Sequence, residues 1–293
     1  MTERDPRKMA LQIAGVRAGE NQLPENERVF EDPYAQYFFP ENIREQFKCS
    51  ASVKAERAKY EQLMPGINGA IVARIRFIDE CLAKSLREGL TQMVIIGAGY
   101  DTRAYRIKGV RDALKVFEVD HPETQAFKKA TIQSIFGELP KYVAYVPVVF
   151  GQDRLDQKLI GQGYNKELKT LFIVEGLIMY IPPPAVDLLL SFIAHVSGAG
   201  SALVGDYFDI SVIDGTCPRQ EAQVLRKFVE AEGSPLQFGL LEQEVEAFFI
   251  DRGFSNVICT STASCKEKYF RGARRDRTVS PILNFVHATV ADR

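Results

Sequence analysis

The stretch VIIGAGYDTR, residues 94–103, decides the fold of this chain. Its apolar residues run directly into Gly97-Ala98-Gly99, as a buried strand enters the binding loop of a nucleotide-binding α/β unit. Glycine permits positive φ there and lets a ligand approach the backbone closely. Asp120 ends the next apolar run at the spacing of a ribose-binding carboxylate. The pattern predicts a nucleoside-containing ligand; the alternative is a tight turn, with Asp120 capping the helix that starts near Pro122.

Further apolar runs alternate with helical stretches on both sides of this loop. The runs lie at 93–96, 116–119, 142–150, 171–174 and 202–204, and the helical stretches at 122–136 and 184–196. Apolar strands separated by helices indicate a parallel sheet covered on both faces. The last run, 282–290, follows 257–260 with no helix expected between them, so these two strands should pair antiparallel. The sequence predicts an α/β fold: a doubly wound, mostly parallel, Rossmann-like seven-stranded sheet with an N-terminal helical extension and a C-terminal antiparallel β-hairpin.

Two segments differ in pattern. Residues 1–90 are mostly helical: Asp32-Pro33 is typical of a helix start, and apolar residues recur at helical spacing over 70–87. Residues 91–293 carry the ligand-binding sheet and include a long connection at about 206–241. We expect the first segment to act as a cap, and the connection as a lid, both around an acceptor pocket.

Composition excludes several classes of protein. The net charge of −1 gives no global field for nucleic acid or an anionic membrane, so neither is expected as a partner. Five cysteines without a CxxC pair and three scattered histidines predict neither a disulfide framework nor a metal site. The polar start, residues 1–9, lacks the apolar core of a signal peptide, which leads us to expect a cytoplasmic protein. A basic run at 271–277 is either a solvated loop or a contact with an anion or a partner.

The loop favours one nucleoside class over another. A dinucleotide fingerprint needs a third glycine, and Thr102 stands at that position. Asp101 would repel a pyrophosphate but tolerate a sulfonium. S-adenosyl-L-methionine is therefore the expected cofactor. An NAD(P)- or flavin-dependent oxidoreductase stays open as an alternative, as does a non-catalytic protein with this fold.

The chain also resembles the leucine carboxyl methyltransferase-like family, including its bacterial S-adenosylmethionine-dependent members. The segments that carry the resemblance span residues 14–181: VRA at 16–18 with Glu20, EDPYA at 31–35, ING at 67–69 with Arg74, GAGYDTR at 97–103, FEVDHP at 117–122, and VEGL at 174–177 with Tyr180. The resemblance implies a class I methyltransferase fold and transfer of a methyl group to a carboxylate or hydroxyl oxygen. The acceptor is then a small-molecule or peptide carboxylate; the oligomeric state is left open.

The resemblance also implies a role for each matching position. Arg74 should hold the methionine carboxylate of the cofactor, with Arg17 as a second contact, and Asp120 should accept bonds from the ribose hydroxyls. Other positions expected to bind the cofactor are Gly97, Ala98, Gly99, His121, Phe150, Gln152, Asp153, Glu175 and Gly176. The family usually has an acid where this chain has Val149, so Asp153 is expected to substitute for it near the adenine.

No catalytic base stands out. A carboxylate acceptor is ionised at neutral pH and needs none, whereas a hydroxyl acceptor would need one. The candidates for that role are His121, Tyr180 and Tyr207.

Overall fold

The computed structural model describes residues 7–291. Its strands are β1 (Gln92–Ile96), β2 (Lys115–Asp120), β3 (Val143–Pro147), β4 (Thr170–Val174), β5 (Ala202–Phe208), β6 (Phe254–Ser261) and β7 (Leu283–Val290). They form one sheet in the order β3-β2-β1-β4-β5-β7-β6. The pairs among β1 to β5 are parallel, and β7 is antiparallel to both β5 and β6. This arrangement confirms the predicted doubly wound, mostly parallel sheet.

Helices cover both faces of the sheet. They are α1 (Arg7–Asn21), α2 (Glu41–Lys48), α3 (Ser50–Leu63), α4 (Ile67–Arg87), α5 (Arg103–Arg106), α6 (Val110–Ala113), α7 (Pro122–Phe136), α8 (Leu155–Gly161), α9 (Pro183–His195), α10 (Ile210–Asp214), α11 (Gln220–Ala231), α12 (Val245–Ile250) and α13 (Thr262–Tyr269). One apolar layer packs α4 against the sheet, and a second lies beneath α9 and α12. Among residues 7–291 no helix is both long and apolar enough to span a bilayer.

Two expectations about local structure need correction. Asp32 caps the backbone N–H groups of Tyr34 and Ala35, both at 3.1 Å, but only a 3-10 turn, Ala35–Phe38, follows. Phe39 is extended because it precedes a proline, which ends the turn. The third strand stops at Pro147, not 150, since proline has no N–H for the sheet.

The fifth strand and the last connection also differ from expectation. β5 continues to Phe208, which puts Asp206 and Tyr207 on the strand itself. The prediction that no helix lies between the last two strands was wrong, because α13 lies between β6 and β7. The antiparallel pairing of those strands is nevertheless as predicted.

The N-terminal and C-terminal segments are held together by the basic run. Arg277 donates to both carboxylate oxygens of Glu20 on α1, at 2.7 and 2.8 Å, and Arg274 donates to the carbonyl of Glu25. These two arginines thus form intramolecular contacts instead of a solvated loop. Residues 1–6, 292 and 293, which open and close the two predicted segments, lie outside the described residues.

Candidate functional site

The carboxyl ends of the parallel strands bring the glycine loop and three acids to one edge of the sheet. Asp120 ends β2, Glu175 follows β4, and Asp206 lies near the end of β5. The Asp120 carboxylate accepts the backbone N–H of Gly99, and that of His121 at 2.6 Å. Burial raises the pKa of Asp120, and these two N–H groups only partly oppose the shift. The predicted meeting of loop and acid is therefore present in the structure.

The loop has the conformation that only glycine adopts easily. Gly97 and Gly99 have φ of +70° and +44°. A Cβ built on Gly97 would lie 3.4 Å from the side chain of Leu177, and one built on Gly99 would lie 3.3 Å from Ala10 of α1. Helix α1 therefore packs directly over the loop.

Arg74 of α4 joins two of the strand-end acids. Its Nε donates to Glu175 at 3.0 Å and its Nη1 to Asp206 at 2.8 Å, and Asp206 also accepts the Gly176 N–H at 2.6 Å. Burial works against the charge on both acids. For Glu175 the guanidinium groups of Arg103 and Arg74 outweigh burial and its pKa is lowered. For Asp206 burial outweighs the attraction of Arg74 and the hydrogen bond from the Gly176 N–H, and its pKa is raised.

These contacts belong to one chain of buried ion pairs. Arg103 donates to Asp79 at 2.7 Å and also binds Asp101 and Glu175. Arg106 binds the same Asp79 at 2.7 and 2.8 Å. The full chain runs Arg17, Asp32, Arg106, Asp79, Arg103 with Asp101, Glu175, Arg74 and Asp206.

The ion-pair chain carries a surplus of negative charge. Its five carboxylates (Asp32, Asp79, Asp101, Glu175, Asp206) exceed its four guanidinium groups (Arg17, Arg74, Arg103, Arg106), so its formal sum is 4 − 5 = −1. Each of these side chains is at most 12% exposed. Buried charge without a partner is costly, so the sum favours a cationic ligand beside this chain.

A large apolar cavity opens beside Arg74. It measures ≈ 510 Å³, within the range of small-molecule sites. Helices α1 to α4 supply most of its wall, and Phe208, Leu225 and Phe228 come from the 206–241 region. Tyr180 also lines the cavity, but Gly97, Gly99 and Asp120 do not. Arg74 therefore belongs both to the ion-pair chain and to the cavity wall.

The other candidate residues lie in three places. His121 caps α7, its Nδ1 accepting the Glu123 N–H at 3.4 Å. The loop after β3 carries Phe150, 46% exposed, and Asp153, which accepts the Val149 N–H at 2.9 Å; Gln152 is exposed between them. Tyr207 is buried in the apolar layer on the opposite face of the sheet from Asp206. Of the three candidate bases only Tyr180 lines the cavity.

Sequence reasoning overlooked several members of the ion-pair chain: Asp79, Arg103, Arg106 and Asp206. Asp206 could have been found by the rule that identified Asp120, an acid at the end of an apolar run. Arg103 lies within the quoted loop, two residues after Asp101. Asp79 carried no such signal, because it reads as a polar position of an amphipathic helix. Among residues 7–291 no group of three His, Cys, Asp or Glu side chains is arranged to hold a metal ion.

The sequence is similar to a family model and to several bacterial proteins. The model of the family described as "Leucine carboxyl methyltransferase" matches residues 10–194. YktD of Bacillus subtilis (strain 168), named as a candidate S-adenosyl-L-methionine-dependent methyltransferase, is 29% identical over 220 residues, covering 74% of this chain and 71% of its own. A protein of Mycolicibacterium paratuberculosis (strain ATCC BAA-968 / K-10) with the same designation is 34% identical over 182 residues, covering 60% and 57%.

A solved structure supports the fold. A candidate methyltransferase from Thermobifida fusca YX superimposes with a TM-score of 0.57 at 13% sequence identity, covering 82% of this chain and 89% of its own. The mixed sheet with its antiparallel end is therefore of the class I methyltransferase type.

Proposed function

Because this chain belongs to the leucine carboxyl methyltransferase family and is an S-adenosyl-L-methionine-dependent methyltransferase, we propose that it methylates an oxygen, that of a carboxylate or hydroxyl acceptor. The proposal rests on the position of Arg74, which belongs both to the ion-pair chain and to the wall of the cavity. One guanidinium joins the buried ion-pair chain at the strand ends to the wall of a ≈ 510 Å³ apolar cavity. A donor at the strand ends and an acceptor in the cavity would thus be neighbours.

The residues present fit the cofactor. S-adenosylmethionine carries a sulfonium, an ammonium and a carboxylate, a net charge of +1, which complements the −1 of the ion-pair chain. We assign Arg74 to the methionine carboxylate, with Arg17 as a second cation, and Glu175 to the amino group beside Gly176. Asp120 would accept the ribose hydroxyls while Gly97, Ala98 and Gly99 approach the nucleoside. His121, Phe150, Gln152 and Asp153 would border the adenine.

When bound, the cofactor supplies an electrophilic methyl group on a neutral leaving group. The protein then needs mainly to orient two reactants, and good orientation alone can contribute about 7–11 kcal/mol. Helix α1 over the glycine loop and the apolar cavity wall would exclude water from both. In this proposal residues 1–90 form the cap and 206–241 the lid of the acceptor site.

The cavity favours a carboxylate over a hydroxyl acceptor. Among the described residues no histidine lines it; of its two acids, Glu20 is committed to Arg277 at 2.7 and 2.8 Å, and Glu56 is exposed to solvent. A carboxylate needs no base, whereas for a hydroxyl only Tyr180 of the earlier candidates is at hand.

The test is methyl transfer from labelled cofactor to a panel of acids, alcohols and amines, followed by alkaline hydrolysis. A carboxyl methyl ester releases labelled methanol in base, and an ether does not. Label on nitrogen or carbon alone would contradict the proposal. Binding of S-adenosylhomocysteine without transfer to any acceptor would point to a non-catalytic relative.

A further inference from the structure

Arg57 of α3 provides an under-compensated positive charge in the wall of the apolar cavity. Its side chain is 28% exposed, and in the part of the chain that the structure describes its one ion pair is a 3.4 Å contact with Glu20. Glu20 is already held by Arg277 at 2.7 and 2.8 Å, and accepts the Val29 N–H at 2.7 Å. Two guanidinium groups therefore share one carboxylate.

The other groups around Arg57 do not neutralise the rest of its positive charge. Burial and the nearby Arg277 lower the pKa of Arg57, despite the attraction of Glu20, Glu61 and Glu27. Glu61 itself accepts the Gly66 N–H at 2.9 Å. A cation in this situation is stabilised by any anion that reaches it with little loss of hydration.

The rest of the cavity wall favours a ligand with an apolar body. Apolar side chains from α1 to α4 and from α11 dominate it, among them Val16, Phe47, Ile71 and Phe228. Besides Arg57 and Arg74, its charged members are Glu20 and the exposed Glu56. Arg74 has two carboxylate partners and is assigned to the methionine carboxylate of the cofactor, so Arg57 is the cation of this wall left for the anion of an acceptor.

We propose that the cavity binds an amphiphilic monocarboxylic acid, with its apolar body among the helices and its carboxylate on Arg57. The inference rests on the proposed function in taking a carboxylate as the acceptor. It favours a small apolar acid over a peptide C-terminus, because apolar side chains predominate along the wall and offer few partners to the backbone amides of a peptide. Esterification removes the anionic charge, so the product should lose its pairing with Arg57 and bind more weakly than the acid.

The experiment is calorimetric titration of the full chain, without cofactor, with decanoate, methyl decanoate and decanol. Decanoate should bind tightest. Arg57→Gln should weaken decanoate binding roughly tenfold to hundredfold, as expected for loss of a charge-assisted hydrogen bond, and leave the ester and the alcohol unchanged. Arg57→Lys should recover part of the loss. Lys59→Gln, an exposed cation of the same helix outside the cavity wall, is the matched control.

A second variant tests the apolar body separately. Gly19 lines the cavity, and a Cβ there meets only Val53 at an ordinary 3.7 Å, so a larger side chain can start from this position and Gly19→Leu should fill part of the cavity. It should weaken all three ligands. The inference is overturned if methyl decanoate or decanol binds the wild type as tightly as decanoate, or if Arg57→Gln, folded by circular dichroism, keeps the wild-type affinity for decanoate. Binding of decanoate without methyl transfer would instead count against the proposed function alone.

Discussion

Replacing Asp120 with asparagine tests the assignment of the ribose carboxylate. The carboxylate accepts two backbone N–H groups, from Gly99 and His121, and is expected to use its remaining lone pairs for the ribose hydroxyls. Asparagine keeps the shape but offers one acceptor oxygen. The cofactor should lose one hydrogen bond to a charged group, which is about 1.5–3 kcal/mol. The dissociation constant should then rise by roughly tenfold to 150-fold.

The assay is calorimetric titration with S-adenosylhomocysteine, accompanied by a thermal melt of each variant. Stability should fall by about 1–3 kcal/mol, because the amide NH2 replaces one of the two oxygens that accept the Gly99 and His121 N–H groups and leaves that N–H without an acceptor. Asp112→Asn is the matched control: Asp112 is exposed and lies just before β2, at the opposite end from Asp120. A folded Asp120→Asn protein with wild-type affinity would refute the ribose assignment.

The remaining predictions concern stability. Arg74→Gln should lower the free energy of unfolding in urea by about 3 kcal/mol, because it leaves Glu175 and Asp206 short of a buried partner; an unchanged midpoint would contradict this. Glu175 has a pKa below its ordinary 4.5, so its contribution is full above that pH and is lost as the pH falls through the folded value. The stability advantage of wild type over Glu175→Gln should therefore shrink in acid, and a constant difference between pH 6 and pH 3 would be inconsistent with it. Gly69→Ala should destabilise by at least about 1–3 kcal/mol, since its Cβ would lie 2.0 Å from the Thr278 carbonyl, whereas Gly161→Ala, with open space around it, should not; equal melting temperatures would show that the 278 segment yields freely.

The local sequence pattern predicted the sheet and the helices between its parallel strands. The bounds of α7 were predicted to the residue, because this helix follows an uninterrupted local signal. The contact between Gly99 and Asp120 was predicted from their spacing in the sequence, because a short helical crossover fixes where the next strand ends. The length of β5 was not predicted correctly. Asp206 is polar, which suggests the end of a strand, yet it lies buried within β5 because it pairs with Arg74.

The ion-pair chain could be predicted only in part. Arg74 meets Asp206 across 132 residues of sequence and Glu175 across 101, and no periodicity within either segment encodes that approach. Arg74 entered the expected site through family resemblance, whereas Asp79 and Arg106 became visible only in the folded chain. The acceptor pocket expected between residues 1–90 and 206–241 could not be located from the sequence, because the volume of a cavity depends on how the helices that line it pack together.

The surplus charge of the ion-pair chain bears on how the cofactor and the fold depend on each other. A formal charge of −1 held away from water costs stability in the protein alone, and burial raises the pKa of Asp206 in the sense expected for such a cost. A ligand of charge +1 removes the cost as it binds, so part of its binding energy appears as stability of the fold. S-adenosylmethionine should therefore raise the melting temperature more than S-adenosylhomocysteine, which lacks the sulfonium charge, at equal saturation. An equal shift for both would mean that the chain of ion pairs does not sense the sulfonium.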